Sequence, residues 1–126
     1  MAQSTFLNAA ALDQIADALT ITGISLHSGA PGAAGDGNVV KGAVAATFSA
    51  SEDNGSDTRK RVLAAQVDMT GMTPLASVVN IGIWSGVGLD VWKGYLVRTS
   101  GDAAVNAAGE YSITTATKLV FSNSPS

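Results

Sequence analysis

Apolar residues near the start of the chain recur at the spacing of a helix. Leu12, Ile15, Ala16 and Leu19 fall on one helical face, and polar residues occupy most of the positions between them. This pattern predicts one amphipathic helix over about residues 5–18. Much of its apolar face is alanine, so the helix is expected either to lie on its own domain or to dock in a groove of a neighbouring protein.

From residue 21 onward the pattern becomes that of short strands separated by turns. Apolar and polar positions alternate in residues 63–70 and 79–84, which is typical of half-buried strands. Residues 21–27, 39–49 and 89–97 predict three further strands, and shorter apolar runs supply the rest. The following residues are predicted to form the core: Leu26, Phe48, Leu63, Val67, Val79, Ile81, Ile83, Leu96, Tyr111, Ile113 and Leu119.

The spacing of the strands predicts the fold class. About seven or eight short strands follow one another, with turn signals roughly every 8 to 12 residues, which is typical of an antiparallel sandwich or barrel. The strand–helix alternation of a parallel sheet is absent. We therefore predict an all-β fold, an antiparallel β-sandwich of which the jelly roll is one form, with one short N-terminal α-helix. Residues 1–20 are assigned to the helical segment and residues 21–126 to the β-sandwich domain.

The composition makes the surface poor in charge. Charged residues make up 13% of the 126 residues, against roughly 25% in an average soluble protein. Because charge is seldom buried, the surface must be rich in small, weakly polar residues that a partner can cover without desolvating many charges. This favours a subunit of a larger assembly over a free enzyme. The net charge of -3 and the lack of a long apolar run lead us to expect neither nucleic acid nor a membrane as partner.

His27, the only histidine, ends the first predicted strand beside a glycine-rich loop. A catalytic role would require a nucleophile and an orienting acid next to it. Ser25 and Ser28 flank it, but both are expected to point away, because neighbours on a strand face opposite sides. We therefore expect a structural histidine that is hydrogen-bonded to a loop carbonyl, and no catalytic residue.

Two further segments invite a ligand-binding interpretation that their spacing does not support. Residues 28–37 are rich in glycine, but they lack the Gly-Lys-Ser/Thr ending of a phosphate loop and a strand pattern follows them. The acidic residues near the turn at residue 55 lack the spacing of a calcium loop, so no metal site and no cofactor are expected. These acidic residues are Asp36, Glu52, Asp53 and Asp57. The neighbouring basic run is expected to form salt bridges with them or with another copy, and consists of Arg59, Lys60 and Arg61.

Two tryptophans are predicted to meet across a hairpin. Trp84 and Trp92 lie on neighbouring predicted strands joined by a short turn, so their rings can pair. Exposed aromatic rings can also serve as a platform for sugars. Packing in the core or in an interface and sugar binding therefore both remain open for these two residues.

Four segments in series resemble a family of small phage virion proteins, often labelled tail fibre or minor tail proteins. ISLHSGAPGAAG at residues 24–35 is similar to the family's ISLHTADPGTTG, and VVNIGIWS at residues 78–85 is similar to VTHVGLWSA. Residues 86–96 resemble a third family element of glycine and apolar residues, and VNAAGEYSI at residues 105–113 resembles FNAAGEYTI. The family often continues after the loop with an acidic residue and a Gly-Gly-x-Tyr-x-Arg run, which residues 38–42 do not match.

The resemblance implies a structural protein located in the virion. We expect a non-enzymatic capsid decoration or cement protein on the particle exterior, because the chain contains no repeat that would form a fibre shaft. The alternatives are an accessory tail protein (minor tail, baseplate or fibre tip), a carbohydrate-binding module that adsorbs to a host surface, and, least favoured, a hydrolase. The expected partners are the major capsid or tail proteins and further copies of this chain in a homo-oligomer, with a trimer as the expected form. The candidate assembly contacts are Leu7, Leu12, Ile15, Leu19, Trp84 and Trp92.

Overall fold

The computed structural model describes residues 9–55, 58–99 and 101–121. One α-helix, α1, extends over Ala9–Ala18. The strands of the described part of the chain are β1 (Gly23–His27), β2 (Val39–Ala45), β3 (Glu52–Asp53), β4 (Arg59–Val62), β5 (Val67–Met69), β6 (Asn80–Ser85), β7 (Val91–Val97), β8 (Tyr111–Ile113) and β9 (Lys118–Phe121).

The fold is an all-β antiparallel sandwich with one short α-helix, which confirms the fold class predicted from the sequence. The described strands form sheets of four, three and two strands, in the orders β2-β1-β6-β7, β3-β4-β9 and β5-β8. A jelly roll consists of two four-stranded sheets, so the described strands do not follow that variant.

The first strand lies at the centre of the largest sheet. β1 is buried along its whole length between β2 and β6. Ile24 and Leu26 pair with Ile83 and Ile81 of β6, and these four side chains belong to the hydrophobic core. The alternate residues of β1 point to the opposite face of the sheet, where the loop of residues 28–38 covers them.

Ten of the eleven residues predicted to form the core are buried or packed against it, and seven further residues are buried that were not predicted. Buried as predicted are Leu26, Phe48, Leu63, Ile81, Ile83, Tyr111 and Ile113, while Val67, Leu96 and Leu119 are partly buried against them. Buried but not predicted are Ile21, Ile24, Ala46, Met69, Met72, Val78 and Val105. The prediction for Val79 is wrong, because its side chain is 41% exposed. The chain changes partner at this point, since the Val78 amide donates to Ala103 O and the Val79 amide to His27 O, and Val78 takes the core position.

The single strand predicted over residues 63–70 is also wrong. β4 ends at Val62, Leu63 forms an isolated bridge with Phe48, and β5 begins at Val67. β4 pairs with β9, whereas β5 pairs with β8, so the chain passes from one sheet to another between them. Both segments bury one side, and their alternation therefore looks continuous in the sequence.

The end of the helix is bonded to the β domain. Residues 5–8 of the predicted helix lie outside the described part of the chain. Ala16 is fully buried, and the Asp17 carboxylate accepts a hydrogen bond from the Ser51 amide at 2.8 Å. Arg61 Nη1 donates to Ala16 O at 3.0 Å and to Leu19 O. No helix of the described residues is long and apolar enough to cross a membrane.

The basic run behaves as predicted at Lys60. Lys60 Nζ lies 3.8 Å from Glu52 Oε1, which confirms a salt bridge to the acidic turn. Arg61 is buried instead, and its guanidinium is bonded to backbone carbonyls. Asp57 lies outside the described residues.

Candidate functional site

Four side chains gather on the face of the large sheet that points away from the core. Ser25 and His27 come from β1, Trp84 from β6 and Trp92 from β7, and we call these four residues the histidine cluster. The Trp84 and Trp92 ring centroids are 5.1 Å apart with an interplanar angle of 66°, and the His27 and Trp92 centroids are 5.9 Å apart at 69°. The predicted pairing of the two indoles across the hairpin is confirmed, in the edge-to-face geometry that aromatic quadrupoles favour.

The hydrogen bonds of the cluster form a series in which each group donates to the next, from Trp84 through Ser25 and His27 to Gly37 O. Trp84 Nε1 can only donate, and it lies 2.8 Å from Ser25 Oγ. His27 Nδ1 lies 2.8 Å from Gly37 O, which can only accept, so Nδ1 carries a proton. In the neutral ring Nε2 is then the acceptor, and the Ser25 hydroxyl, 2.7 Å away, donates to it. Each polar atom in this series of hydrogen bonds therefore has a partner. Such pairing is required because Ser25 and His27 are 1% and 0% exposed.

Two glycines, Gly35 and Gly82, have no side chain, and the atoms of the cluster occupy the space that a side chain would need. A Cβ at Gly82 of β6 would lie 2.2 Å from Ser25 Oγ and 2.7 Å from the Trp92 ring. A Cβ at Gly35 would lie 2.2 Å from the same ring, and Gly35 has a φ of 72°, which disfavours any other residue. The Trp92 ring is therefore held between the sheet at Gly82 and the covering loop at Gly35.

The covering loop is held in place by its own backbone and by asparagine side chains. Gly37 N donates to Pro31 O at 2.8 Å, which sets the turn that presents Gly37 O to the histidine. Asn38 Nδ2 donates to Ala30 O at 3.0 Å, and Asn80 Nδ2 of β6 donates to Gly29 O at 2.9 Å. These bonds keep the loop of residues 28–38 closed over the histidine cluster.

The pair of Ser25 and His27 resembles the nucleophile and base of a hydrolase in its distances but differs in its surroundings. The expectation that Ser25 points away from His27 is wrong, because residues two apart on a strand share a face. The expectation that His27 bonds to a loop carbonyl is confirmed. A carbonyl takes the position of the orienting acid of a triad, and both side chains are buried beneath the loop. The arrangement is suited to holding the loop on the sheet.

Gly82→Ala is expected to lower the free energy of unfolding by about 1–3 kcal/mol, because the added methyl group overpacks the cluster. Thermal melts followed by tryptophan fluorescence measure this directly, since Trp84 and Trp92 are the two tryptophans of the chain. Gly42→Ala on β2 is the matched control, because nothing lies within 4 Å of its Cβ and its φ is ordinary. Equal melting temperatures for the two variants would contradict the tight packing at Gly82.

The predicted assembly contacts do not share one surface in the described part of the chain. Ile15 is 52% exposed on α1, whereas Leu19 is partly buried against the core. Trp84 and Trp92 are half-buried in the histidine cluster. Leu7 and the side chain of Leu12 lie outside the described residues.

A polar cavity that the sequence analysis missed lies at the β5–β8 pair. Its volume is about 390 Å³, and its lining includes Asp68, Asp102, Asn106, Glu110 and Ser112. Hydrogen bonds from Ser112 Oγ at 2.6 Å and from Gln66 Nε2 at 2.8 Å lower the pKa of the Asp68 carboxyl. One sequence feature could have pointed to this cavity. Glu110, which lines it, lies inside the segment 105–113 that carries part of the family resemblance.

No group of three or more His, Asp or Glu side chains that could hold a metal ion occurs among the described residues.

Burial raises the pKa of the Tyr111 hydroxyl at the cavity wall, and that hydroxyl donates to Asp102 O at 2.6 Å. Tyr111 thereby fixes the loop that carries Asp102.

Comparisons of this chain with protein-family models, with curated proteins and with solved structures found no match.

Proposed function

We propose that this chain is a non-enzymatic structural protein of a bacteriophage particle, and that it is a decoration or cement protein on the capsid exterior. The observation that supports this most is the packing of the resemblance segments. Residues 24–35, 78–85 and 86–96 contribute the strands, the tryptophans and the loop glycine of one continuous cluster. The residue types that carry the resemblance therefore occur together because they contact one another in this cluster.

The surface supports a role in assembly. Large apolar side chains are exposed, with Ile15 on α1 and Leu75 and Val87 in turns. In a chain with 13% charged residues, a partner can cover such positions while desolvating few charges. We propose the major capsid protein as the partner and further copies of this chain as neighbours on the particle.

The geometry of the tryptophans favours packing over sugar binding. A sugar platform requires an open ring face, whereas Trp92 has Gly35 against its ring and Trp84 and His27 at its sides. Because Ile15 is 52% exposed whereas both indoles are half-buried in the histidine cluster, we assign the capsid contact to the face of α1 that carries Ile15.

Ile15→Asp is expected to reduce attachment to particles that lack the protein by about tenfold or more, since burying an isoleucine contributes about 1.5–3 kcal/mol. The melting temperature should stay near that of the wild type, because the side chain is exposed. Bound protein is measured on gels after the particles are sedimented. Val120→Asp, on an exposed valine of β9, is the control and should attach normally.

Two results would contradict this proposal. Full occupancy by the Ile15→Asp variant would exclude α1 as the anchor. A few copies per particle, quantified against the major capsid protein, would exclude capsid decoration and favour an accessory tail protein, because decoration requires hundreds of copies.

A further inference from the structure

The outer edge of β7 presents backbone groups without partners among the described residues. β7 is the last strand in the order β2-β1-β6-β7. The Arg98 amide, just after β7, donates to Val79 O at 2.9 Å and so points toward β6. Successive residues of an antiparallel strand direct their N–H and C=O groups alternately to its two sides. Tyr95 and Val97 therefore direct both groups outward, away from β6.

The side chains of the same two residues are exposed and apolar. Tyr95 is 53% and Val97 59% exposed, and both lie on the face of the sheet that carries Trp92. Natural sheet edges of this kind are usually protected by charge, by proline or by a covering segment. The described residues place no proline and no covering segment over Tyr95 and Val97, and the charged Lys93 and Arg98 lie only at the two ends of this stretch, so the stretch is suited to pairing with another strand.

We propose that two copies of this chain pair through β7, antiparallel, with Tyr95 of each copy opposite Val97 of the other. In this register the two residues exchange N–H···O=C bonds twice, once on each side of a two-fold axis at Leu96. Tyr95 then packs against the valine of the second copy, which is a favourable aromatic to β-branched pair. The pairing joins the two four-stranded sheets into one.

The neighbouring residues limit the contact to this short stretch. The β6–β7 register shifts between Trp92 and Gly94, so Lys93 forms a bulge that interrupts the edge. In the proposed register Lys93 and Arg98 face Thr99 and Gly94 of the second copy, so no like charges meet. A two-fold contact uses the same surface on both copies, so it closes at two chains and leaves no edge of β7 for a third.

The pairing deepens the homo-oligomer that forms part of the proposed function, and it differs from the three-fold contact of a trimer. It depends on the geometry of β7 alone. If the pairing fails, the virion role remains, since attachment to a capsid requires no contact between copies. If the virion role fails, sedimentation of the purified chain still tests the pairing.

A charge-reversal experiment tests the contact without disturbing the fold. Tyr95→Lys with Val97→Lys places like charges opposite each other across the axis, as does Tyr95→Glu with Val97→Glu, and each should weaken self-association at least about tenfold. An equimolar mixture of the two double variants should restore the dimer, measured by sedimentation equilibrium over a range of concentrations. A contact of so few residues buries less surface than a standard interface of about 1,600 Å². A reversible, concentration-dependent dimer is therefore expected for the wild type. A wild type that stays monomeric at every concentration, or a lysine variant that dimerises as well as the wild type, would overturn the proposal.

A cross-linking experiment tests the register. The chain contains no cysteine, so Leu96→Cys introduces a single thiol at the proposed axis. Non-hydrogen-bonded antiparallel pairs have Cα atoms about 4.5 Å apart, which is compatible with a disulfide. Under mild oxidation this variant should form a covalent dimer much faster than Val87→Cys, whose position is fully exposed at the β6–β7 turn. Equal rates for the two variants would mean that Leu96 is not at an axis.

Discussion

Replacing Ile81 by alanine is expected to lower the free energy of unfolding by about 2 to 5 kcal/mol. Ile81 is 2% exposed, pairs with Leu26 of β1 on one side and with Leu96 of β7 on the other, and belongs to the core. The truncation removes buried methyl groups and leaves a cavity that neighbouring strands of a paired sheet can fill only in part. Urea unfolding followed by tryptophan fluorescence gives the free energy and its denaturant slope.

Val79→Ala is the matched control, since the same alternation in the sequence predicted both residues to be buried. Val79 is 41% exposed at the end of the sheet, so its truncation should change the free energy of unfolding by no more than about 0.5 kcal/mol. A loss at Val79 as large as that at Ile81 would mean that the chain buries residue 79, contrary to the structure.

Replacing Arg61 by alanine is expected to lower the free energy of unfolding by about 2 to 4 kcal/mol. The guanidinium donates to the carbonyls of Ala16 and Leu19 at the end of α1 and to Ser49 O at 2.8 Å. Each carbonyl that loses its donor in a buried position costs about 1–3 kcal/mol, and water can satisfy only part of this. A positive group at the helix C-terminus also stabilises the helix dipole. Loss of far-ultraviolet helical signal together with a lower melting temperature would report both effects.

Lys60→Ala is the control for charge, because it removes a cation from the same strand. The Lys60–Glu52 pair is 3.8 Å long and the side chains are 29% and 50% exposed, so it is expected to contribute about 0–1 kcal/mol. Arg61→Lys should recover little of the loss, since a lysine has no planar fork with which to reach several carbonyls at once. If Arg61→Ala were as stable as Lys60→Ala, the guanidinium would not hold the helix to β4.

The histidine cluster was predictable in those parts that depend on neighbouring residues. The position of His27 between a strand and a loop predicted its bond to a loop carbonyl, and the short turn between β6 and β7 predicted the meeting of Trp84 and Trp92. The bond from Trp84 to Ser25 joins residues 59 positions apart and requires β1 and β6 to be adjacent. The sequence pattern gives no information on that adjacency, because either strand can bury its apolar side against several others.

The sequence by itself determined the all-β class, the turns and about half of the buried core, because alternation along a strand follows from backbone geometry that acts over two residues. Only the tertiary structure decided which strands pair. It divided residues 63–70, whose alternation looks like that of one strand, between two different sheets. It also left Val79 exposed at the point where the chain changes its hydrogen-bonding partner. It also decided the environment of Arg61, one of three consecutive basic residues in the sequence. Arg61 alone is buried at the helix end, because the packing of α1 on β4 brings backbone carbonyls that need a donor to that one position.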